Sequence, residues 1–251
     1  MQQELVKSLI KGMNMLEYMN ARKTPATLSE VAYHTGATRA ASRRFLLTLE
    51  SLGYVESNDR LFSLTPKVLK LSSAFSTSRS LASVATPYLK ELARLTGESC
   101  SVAVLQGENI VYVGRESTKR IMSINIQLGA EFPAVYTSMG RAILANLAEE
   151  ETQAFMQQVT LEPVTNLTIT DKTELHKRLT LTRKRGYSLV NQELEIGLVS
   201  LAVPVFDHAR NPIAAINIAC STAVHKPNRM VSRFVELLKE TSAAITTALE
   251  N

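Results

Sequence analysis

The stretch TLSEVAYHTGATRAASRRFLLTLESLGYVESNDRLFSL, residues 27–64, decides the fold of the first part of the chain. Thr27 and Glu30 have the spacing at which a Thr hydroxyl and a Glu carboxylate cap each other's backbone N–H groups at a helix start. Gly36 can adopt the positive φ of a tight turn, and Thr38 is a suitable N-cap for a second helix. The pattern therefore predicts two short helices joined at a glycine turn.

The second of these helices has two chemically different faces. A helical wheel places its large apolar side chains together: Phe45, Leu46, Leu49 and Leu52. The opposite face is small and basic, with Arg39 at its edge and with Ala40, Arg43 and Arg44. Gly53 ends the helix, and residues 54–55 and 61–64 predict two strands joined across residues 57–60 as a wing. This order of elements is that of a winged helix-turn-helix, which places its second helix in the major groove of double-stranded DNA.

The predicted DNA interface consists of arginines, small residues and helix caps. An arginine near the start of such a helix can donate two hydrogen bonds to guanine, and small residues let the helix approach closely. The predicted DNA-contacting residues are Thr27, Thr38, Arg39, Ala40, Ser42, Arg43, Arg44 and Arg60. Further phosphate contacts are expected from Lys7, Lys11 and Lys67. The alternative is an ordinary helical hairpin with a solvated basic face.

Charge is unevenly distributed along the chain. Residues 1–77 carry ten Lys and Arg against six Asp and Glu, whereas the remainder carries eighteen against seventeen. Most of the net charge of +5 therefore lies in the predicted DNA-binding segment, as phosphate attraction requires.

Composition narrows the class of protein. A length of 251 residues suggests one or two domains. The sequence shows neither a basic-then-apolar leader nor an apolar run near ~18 residues, so a cytoplasmic protein without a membrane partner is expected. Cys100 and Cys220 cannot form a disulfide framework. Cys220 and His225 could contact a metal, but two scattered ligands fall short of a site, so neither a metal nor a cofactor is predicted.

Helical periodicity continues on both sides of the motif. Leu5, Leu9, Met13 and Leu16 predict a first helix that closes the small core, with its other side available to a second subunit. Pro66 can begin a helix containing Val68, Leu69, Leu71 and Phe75, followed by a Ser- and Thr-rich stretch. The predicted organisation is a DNA-binding domain at 1–67, a connector at 68–83 and a second domain at 84–251.

The second domain alternates between helical and extended patterns. Helices are predicted near residues 89–95, 137–147, 149–158, 175–185 and 234–249. Strands are predicted near residues 100–105, 110–113, 121–128, 198–206 and 213–219. This order indicates an α+β domain with an antiparallel sheet.

The whole chain resembles the IclR-type transcriptional regulators. Besides the winged helix-turn-helix, the resemblance lies in LGAEFPAVYTSMGRAILANL (128–147), RKRGYSLVNQELEIGLVSLAVPVFD (183–207) and PIAAINIA (212–219). TGESCSVAVL (96–105) and RIMSINIQLGAEFPA (120–134) are most similar to the branch that controls protocatechuate and 4-hydroxybenzoate breakdown in the β-ketoadipate pathway. The resemblance implies a GAF-like effector-binding domain and homodimers or homotetramers on palindromic operators. It also implies a ligand-responsive regulator, activator or repressor, of aromatic-acid catabolic genes.

Two patterns in the second domain are compatible with a ligand pocket beside the resemblance, although each also has a purely structural interpretation. Pro133 precedes a helix start at which Tyr136 or Thr137 can cap, so that N–H groups of the first turn face a carboxylate. Asn217 interrupts an apolar strand, where a buried amide needs a partner, and Ser200 is placed similarly. The alternatives are a cap that faces water and an amide bonded to a neighbouring loop. The resemblance puts Ser138, Met139, Leu198, Ser200, Asn217 and Ala219 at pocket positions.

The complete predicted effector site combines both arguments. Its residues are Arg120, Thr137, Ser138, Met139, Gly140, Leu198, Ser200, Asn217 and Ala219. The effector's carboxylate is expected near residues 137–140, and Arg115 and Arg120 are possible carboxylate partners from nearby strands. An effector that is a non-aromatic small carboxylic acid remains the alternative within the same family.

Two other classes compete with a sensor. An enzyme with an accessory DNA-binding domain could use Ser138, Glu193 or one of the four histidines. The sequence, however, contains no nucleophile elbow, HExxH, P-loop or GxGxxG motif, so no enzyme is predicted. An architectural DNA-binding protein that binds no ligand would not need the large second domain, so this class is disfavoured.

Overall fold

The computed structural model describes residues 5–22, 24–73, 81–117 and 126–250. The chain divides into two compact units, residues 1–77 and 78–251. Among these described residues, the first unit has one hydrophobic cluster and the second has two, one on each side of its sheet. A helix at Leu81–Thr96 lies partly inside the connector that the sequence predicts at 68–83.

The first unit contains four helices and a small antiparallel sheet in its described part. The strands lie in the order β1-β3-β2. The elements are α1 (Lys7–Ala21), β1 (Ala26–Thr27), α2 (Leu28–Thr35), α3 (Arg39–Ser51), β2 (Val55–Asn58), β3 (Leu61–Leu64), a 3-10 turn (Pro66–Val68) and α4 (Leu69–Ser73). The winged helix-turn-helix predicted from residues 27–64 is confirmed.

The predicted helix caps are confirmed in detail. The Glu30 N–H donates to Thr27 Oγ1 at 3.3 Å, and the Thr27 N–H donates to Glu30 Oε2 at 2.7 Å. These bonds from Thr27 lower the pKa of the Glu30 carboxyl to about 2, so the carboxylate persists far below neutral pH. Gly36 takes a φ of +61°, and the Ala41 N–H donates to Thr38 Oγ1 at 3.2 Å.

The face of α1 that closes the core differs from the prediction. Leu5, Leu9 and Met13 are exposed, and the buried residues are Met15 and Met19. Helix α1 is apolar on more than one side, and the core takes its side chains from the C-terminal half, so of the predicted stripe Leu16 packs against that core and the other three residues do not. Leu52 is also exposed, because it is the C-cap of α3 rather than a residue within the helix.

The second unit packs helices on both faces of one antiparallel sheet. Its six described strands lie in the order β6-β5-β4-β9-β8-β7. The elements are α5 (Leu81–Thr96), β4 (Ser99–Gln106), β5 (Asn109–Glu116), β6 (Glu131–Pro133), a 3-10 turn (Ala134–Tyr136), α6 (Ser138–Leu144), α7 (Glu149–Gln158), α8 (Lys172–Arg185), β7 (Ser188–Asn191), β8 (Leu198–Phe206), β9 (Pro212–Ser221) and α9 (Pro227–Glu250). The predicted α+β class and antiparallel sheet are confirmed.

Four segments depart from the predicted pattern. The sequence does not predict β6 and β7, which are short edge strands without an apolar run. Residues 126–128 are not extended strand, and the rest of the strand predicted at 121–128 lies outside the described residues. Helix α9 begins at Pro227 rather than at Phe234.

The two faces of the sheet carry side chains of different size. Large apolar residues such as Val102, Leu201 and Ile216 pack against α5 and α9. On the other face, Ser101 lies opposite Asn217, which in turn lies opposite Ala202. Small side chains on this face, together with the elements that cover it, leave space for a cavity beside α6.

Candidate functional site

The start of α3 presents the predicted basic face to solvent. Arg39, Ala40, Arg43 and Arg44 are all exposed. Within the described residues no ion pair engages these three arginines. Because Leu46 and Leu49 are buried on the opposite side of α3, the helix is fixed with its guanidinium groups outward.

Ser42 is the exception within the predicted interface. It is fully buried, and its hydroxyl has no hydrogen-bond partner in the described part of the chain. Its small side chain lets α3 pack closely against its own domain, so the prediction that it faces DNA is wrong. A residue that lies between the apolar and the basic face of a helix is buried or exposed according to how the helix packs, and the local sequence does not specify that packing.

The wing is bonded directly to α3. Glu50 Oε1 accepts from the Ser57 N–H at 3.1 Å and from Ser57 Oγ at 2.5 Å. The turn between β2 and β3 consists of Asp59 and Arg60, both at positive φ, and Arg60 is exposed. The wing tip therefore projects a cation from a hairpin that is hydrogen-bonded to α3.

Besides the Thr38 cap, two of the predicted DNA-contacting side chains already have partners within the domain. The Thr27 hydroxyl donates to Glu30 Oε2 at 2.8 Å. Lys67 Nζ donates to the Leu52 carbonyl at 2.6 Å and lies 5.1 Å from the centre of the Tyr54 ring. Lys67 thus stabilises the C-terminus of α3, and the structure favours that role over the expected phosphate contact.

A cavity of about 640 Å³ lies within the second unit. Its walls are the small-residue face of the sheet, the start of α6 and the loop at 192–197 between β7 and β8. Six of the predicted effector residues line it: Thr137, Ser138, Leu198, Ser200, Asn217 and Ala219. This volume is in the range of small-molecule sites.

Three predicted effector residues are not among those that the structure places at the cavity. Met139 is 1% exposed and belongs to the hydrophobic cluster beneath it. The Gly140 N–H donates to Thr137 Oγ1 at 3.1 Å, so it is unavailable to a carboxylate. A Cβ at Gly140 would overlap the backbone of Ala134, which makes this glycine a packing requirement. Arg120 lies outside the described residues.

The polar floor of the cavity is a chain of three side chains. Ser138 Oγ and Ser200 Oγ are 2.6 Å apart, and Asn217 Nδ2 donates to Ser200 Oγ at 2.9 Å. Asn217 is 3% exposed, yet its Oδ1 has no hydrogen-bond partner in the described ranges. The predicted need of Asn217 for a partner is therefore met at its nitrogen by Ser200 and left open at its oxygen.

A buried ion pair, which the sequence analysis missed, supports the cavity wall. Arg141 on α6 bonds to Glu193 through both guanidinium branches, at 2.7 and 2.5 Å. Arg141 Nε also donates to the Val135 carbonyl at 2.6 Å. The pair joins the turn before α6 to the loop that covers the cavity. The sequence did contain a signal for this ion pair, because Arg141 is the one charged residue in the otherwise uncharged segment 134–145.

The side of the cavity towards β5 is basic and aromatic. Arg115 Nη1 donates to Ser101 Oγ at 3.2 Å, and burial lowers the pKa of the Arg115 guanidinium. Tyr112 and Phe132 line the same side in an edge-to-face pair with centroids 5.7 Å apart. Burial raises the pKa of the Tyr112 phenol to about 12, so the phenol is neutral at physiological pH. Arg115 is thus the charged residue at this end of the cavity wall.

Four of the residues considered for an enzyme or a metal site, Ser138, Glu193, Cys220 and His225, have partners within the protein. Ser138 bonds to Ser200, and Glu193 bonds to Arg141. Among the described residues no group of three His, Cys, Asp or Glu side chains could hold a metal ion. His225 Nε2 lies 3.0 Å from Glu98 Oε1, and Cys220 Sγ lies 3.3 Å from Met230 Sδ. None of the described helices has the length and apolar character to cross a membrane.

Comparison with known proteins agrees with both halves of this architecture. Residues 8–59 match the family model of the IclR helix-turn-helix domain. Residues 74–247 match the family model of the bacterial transcriptional regulator IclR C-terminal domain. The chain is similar to the Pca regulon regulatory protein of Pseudomonas putida, with 34% identity over 94% of this chain and 81% of the relative.

Two further proteins extend the comparison. The p-hydroxybenzoate hydroxylase transcriptional activator of Acinetobacter baylyi is 31% identical over 96% of this chain and 90% of its own length. The crystal structure of an IclR transcriptional regulator from Alicyclobacillus acidocaldarius matches with a TM-score of 0.85 and 26% identity, over 98% of this chain and 99% of that one. A winged helix-turn-helix with an outward basic helix, followed by a sheet domain with a polar-floored cavity, is thus matched along nearly its whole length by transcriptional regulators, and the chain belongs to the IclR family.

Proposed function

We propose that this regulator binds an aromatic carboxylic acid in the cavity of its second unit and that binding changes its affinity for operator DNA. The observation that carries the proposal is the cavity itself, with polar groups on its floor and with Tyr112, Phe132 and Tyr136 in its wall. Aromatic side chains suit a flat ring, and the few polar groups fix its orientation. A non-aromatic small acid would leave this aromatic wall without a partner.

The relatives support the same assignment. One is named for the Pca regulon and another for p-hydroxybenzoate hydroxylase, whose substrate is an aromatic acid. We therefore propose that this regulator controls genes of aromatic-acid catabolism. We also propose that it acts in the bacterial cytoplasm. Whether it activates or represses depends on where its operator lies relative to the promoter.

On the DNA side, α3 enters the major groove and the wing reaches the flanking backbone. Arg39, Arg43 and Arg44 meet base edges or phosphates beside Ala40, and the helix start at Thr38 and the wing tip at Arg60 add contacts. One such helix covers few base pairs, so two subunits read a palindromic operator. The exposed apolar residues Leu9 and Met13 of α1, together with Leu5 just before it, support pairing with a second copy.

The test combines ligand binding with DNA binding. A thermal-shift screen of aromatic and aliphatic acids identifies binders, because a ligand specific for the folded state raises its stability by RT ln(1 + [L]/Kd). Fluorescence anisotropy on operator fragments, with one or two half-sites, then measures the change in DNA affinity. An acid that binds without changing DNA affinity would contradict the proposal, as would equal affinity for one and two half-sites.

Arg43→Ala should weaken operator binding by about 1–3 kcal/mol and relax sequence preference, because a bidentate base contact is lost. Arg43→Lys is the matched control, since it keeps the charge but not the planar fork. It should retain affinity for non-specific DNA while losing discrimination. Titrations at fixed salt on operator and scrambled DNA measure both quantities, and unchanged discrimination in both variants would remove Arg43 from the interface.

Arg60→Gly should stabilise the first unit by about 0.5–1 kcal/mol and weaken DNA binding at the same time. Arg60 has a φ of +70°, a conformation that favours glycine, so the exposed arginine is held at a conformational cost. Asp59→Gly relieves the same turn, where φ is 46°, but keeps the arginine and removes a negative charge, so it should not weaken DNA binding. Urea unfolding and anisotropy give the two readouts. Equal DNA affinity for both variants would mean that the wing tip does not touch DNA.

A further inference from the structure

We propose that Leu47 on α3 recognises the C5-methyl group of a thymine in each half-site of the operator. The proposal rests on the proposed function and deepens it, because it adds a specificity-determining residue to the helix that enters the major groove. The contact differs in kind from those of the arginines, since the recognised group is apolar and no charge takes part.

Leu47 lies on the outward face of α3. Ala40, Arg44 and Leu47 follow one another at steps of four and three residues, so their side chains share one side of the helix. The buried residues of α3 lie on the opposite side: Ser42, Leu46 and Leu49. Leu47 is 42% exposed, and within the described residues it is not part of the hydrophobic cluster of the first unit. The core of the domain therefore does not explain a leucine at this position.

Two polar neighbours of Leu47 are bonded within the first unit. The Thr48 hydroxyl donates to the Arg44 carbonyl at 2.8 Å. Glu50 Oε1 accepts from the backbone N–H and the hydroxyl of Ser57 in the wing. These bonds hold the side chains of Thr48 and Glu50 against the protein, whereas the side chain of Leu47 stays exposed. The third turn of α3 thus presents an apolar group on the face that carries Arg44.

An apolar side chain restricts which part of DNA it can recognise. A leucine offers neither a charge nor a hydrogen bond to phosphate oxygens, so it cannot serve as a backbone contact. The base edges in the major groove carry donors and acceptors, and the C5-methyl group of thymine is their one apolar group. Burial of this methyl group against Leu47 removes apolar surface of both partners from water, which is favourable. The group on DNA that fits Leu47 is therefore a thymine methyl.

The geometry of α3 also limits where that thymine lies. Leu47 follows Arg43 by four residues, which is about 6 Å along the helix axis. Successive base pairs are about 3.4 Å apart along DNA. We therefore expect the thymine within about two base pairs of the base that Arg43 contacts.

Exchange of thymine for uracil tests the contact, because uracil lacks the methyl group and keeps every hydrogen-bonding group of thymine. The full-length protein first selects its preferred duplex from a random library. Each thymine of that duplex is then replaced by uracil in both half-sites, and fluorescence anisotropy at fixed salt measures the affinity. One replacement should weaken binding by about 15-fold, which is about fourfold for each methyl group. Tolerance of uracil at every position would overturn the proposal.

Leucine variants assign the methyl group to its partner. Leu47→Ala and Leu47→Gln, one smaller and one polar, should each bind the thymine and uracil duplexes equally within about twofold, because the methyl group loses its apolar contact. Leu52→Ala is the matched control, since Leu52 is 52% exposed but lies at the C-cap of α3 on a different side of the helix. It should keep the full difference. If both variants at Leu47 also kept it, another residue would recognise the methyl group and the assignment would be wrong.

The outcomes separate this inference from the function on which it rests. If the protein selects no preferred duplex, the DNA-binding part of the proposed function fails, and the assignment of Leu47 fails with it. If a duplex is selected but its thymines tolerate uracil, only the assignment of Leu47 is wrong. Thermal unfolding and light scattering verify that the variants keep their fold and assembly. Loss of assembly in both variants would show that Leu47 contacts a second copy of the chain instead of DNA.

Discussion

Arg141→Met should lower the free energy of unfolding of the second unit by about 3–5 kcal/mol. The side chains of Arg141 and Glu193 are only 2% and 10% exposed, so the substitution leaves a buried carboxylate without its counter-charge. The Val135 carbonyl loses its donor as well. Urea unfolding followed by circular dichroism measures the loss.

A double variant distinguishes the ion pair from simple loss of packing. Arg141→Met combined with Glu193→Leu removes both charges, and replacing a buried pair by apolar residues is often close to neutral. We therefore expect the double variant to recover most of the lost stability. It should nevertheless bind the acid more weakly, because the loop at 192–197 forms part of the cavity wall. A loss below about 1 kcal/mol in the single variant would show that the pair contributes little.

Gly140→Ala should cost about 3 kcal/mol and abolish effector binding. A methyl group there would meet the carbonyl oxygen, Cα and carbonyl carbon of Ala134, and backbone cannot move aside as a flexible side chain can. Relief of the overlap has to shift the turn before α6, and with it Thr137 and Ser138 at the cavity. Unfolding and calorimetry on the same preparation test both effects.

The control for this substitution lies in the first unit. Gly12 is in the middle of α1, with nothing near the position that a Cβ would take. Gly12→Ala should therefore stabilise α1 by up to about 1 kcal/mol, because alanine is the better helix former. A stabilising Gly140→Ala would mean that the turn before α6 can move freely.

The sequence predicted best those features that depend on neighbouring residues. The caps at Thr27 and Thr38 are set within three residues of the chain, and the structure confirms them. Helix α7 and strand β8 have the predicted bounds, because charge and apolar runs mark their ends. The edge strands β6 and β7 were missed, since pairing rather than composition makes them extended.

In the candidate site, too, the sequence predicted features set by neighbouring residues and missed contacts between residues that are far apart in the chain. Asn217 was predicted because a polar residue inside an apolar strand is visible in the sequence alone. Its contact with Ser200 spans 17 residues, and the pairing of Arg141 with Glu193 spans 52, so neither partner could be read from spacing. Gly140 was assigned to ligand binding, whereas its nearest neighbour in space, Ala134, shows that packing requires it.

The unequal faces of the sheet also bear on how ligand preference can diverge among related regulators. Large apolar residues that pack against α5 and α9, such as Leu201 and Ile216, lie on the face of the sheet away from the cavity. Along the same strands, positions such as Ala202 and Ala219 alternate with them and face the cavity side. Exchanging a small side chain there reshapes the binding volume and leaves the helix-packed face intact. Selection can thus explore new effectors on one side of a strand while the other side preserves the scaffold.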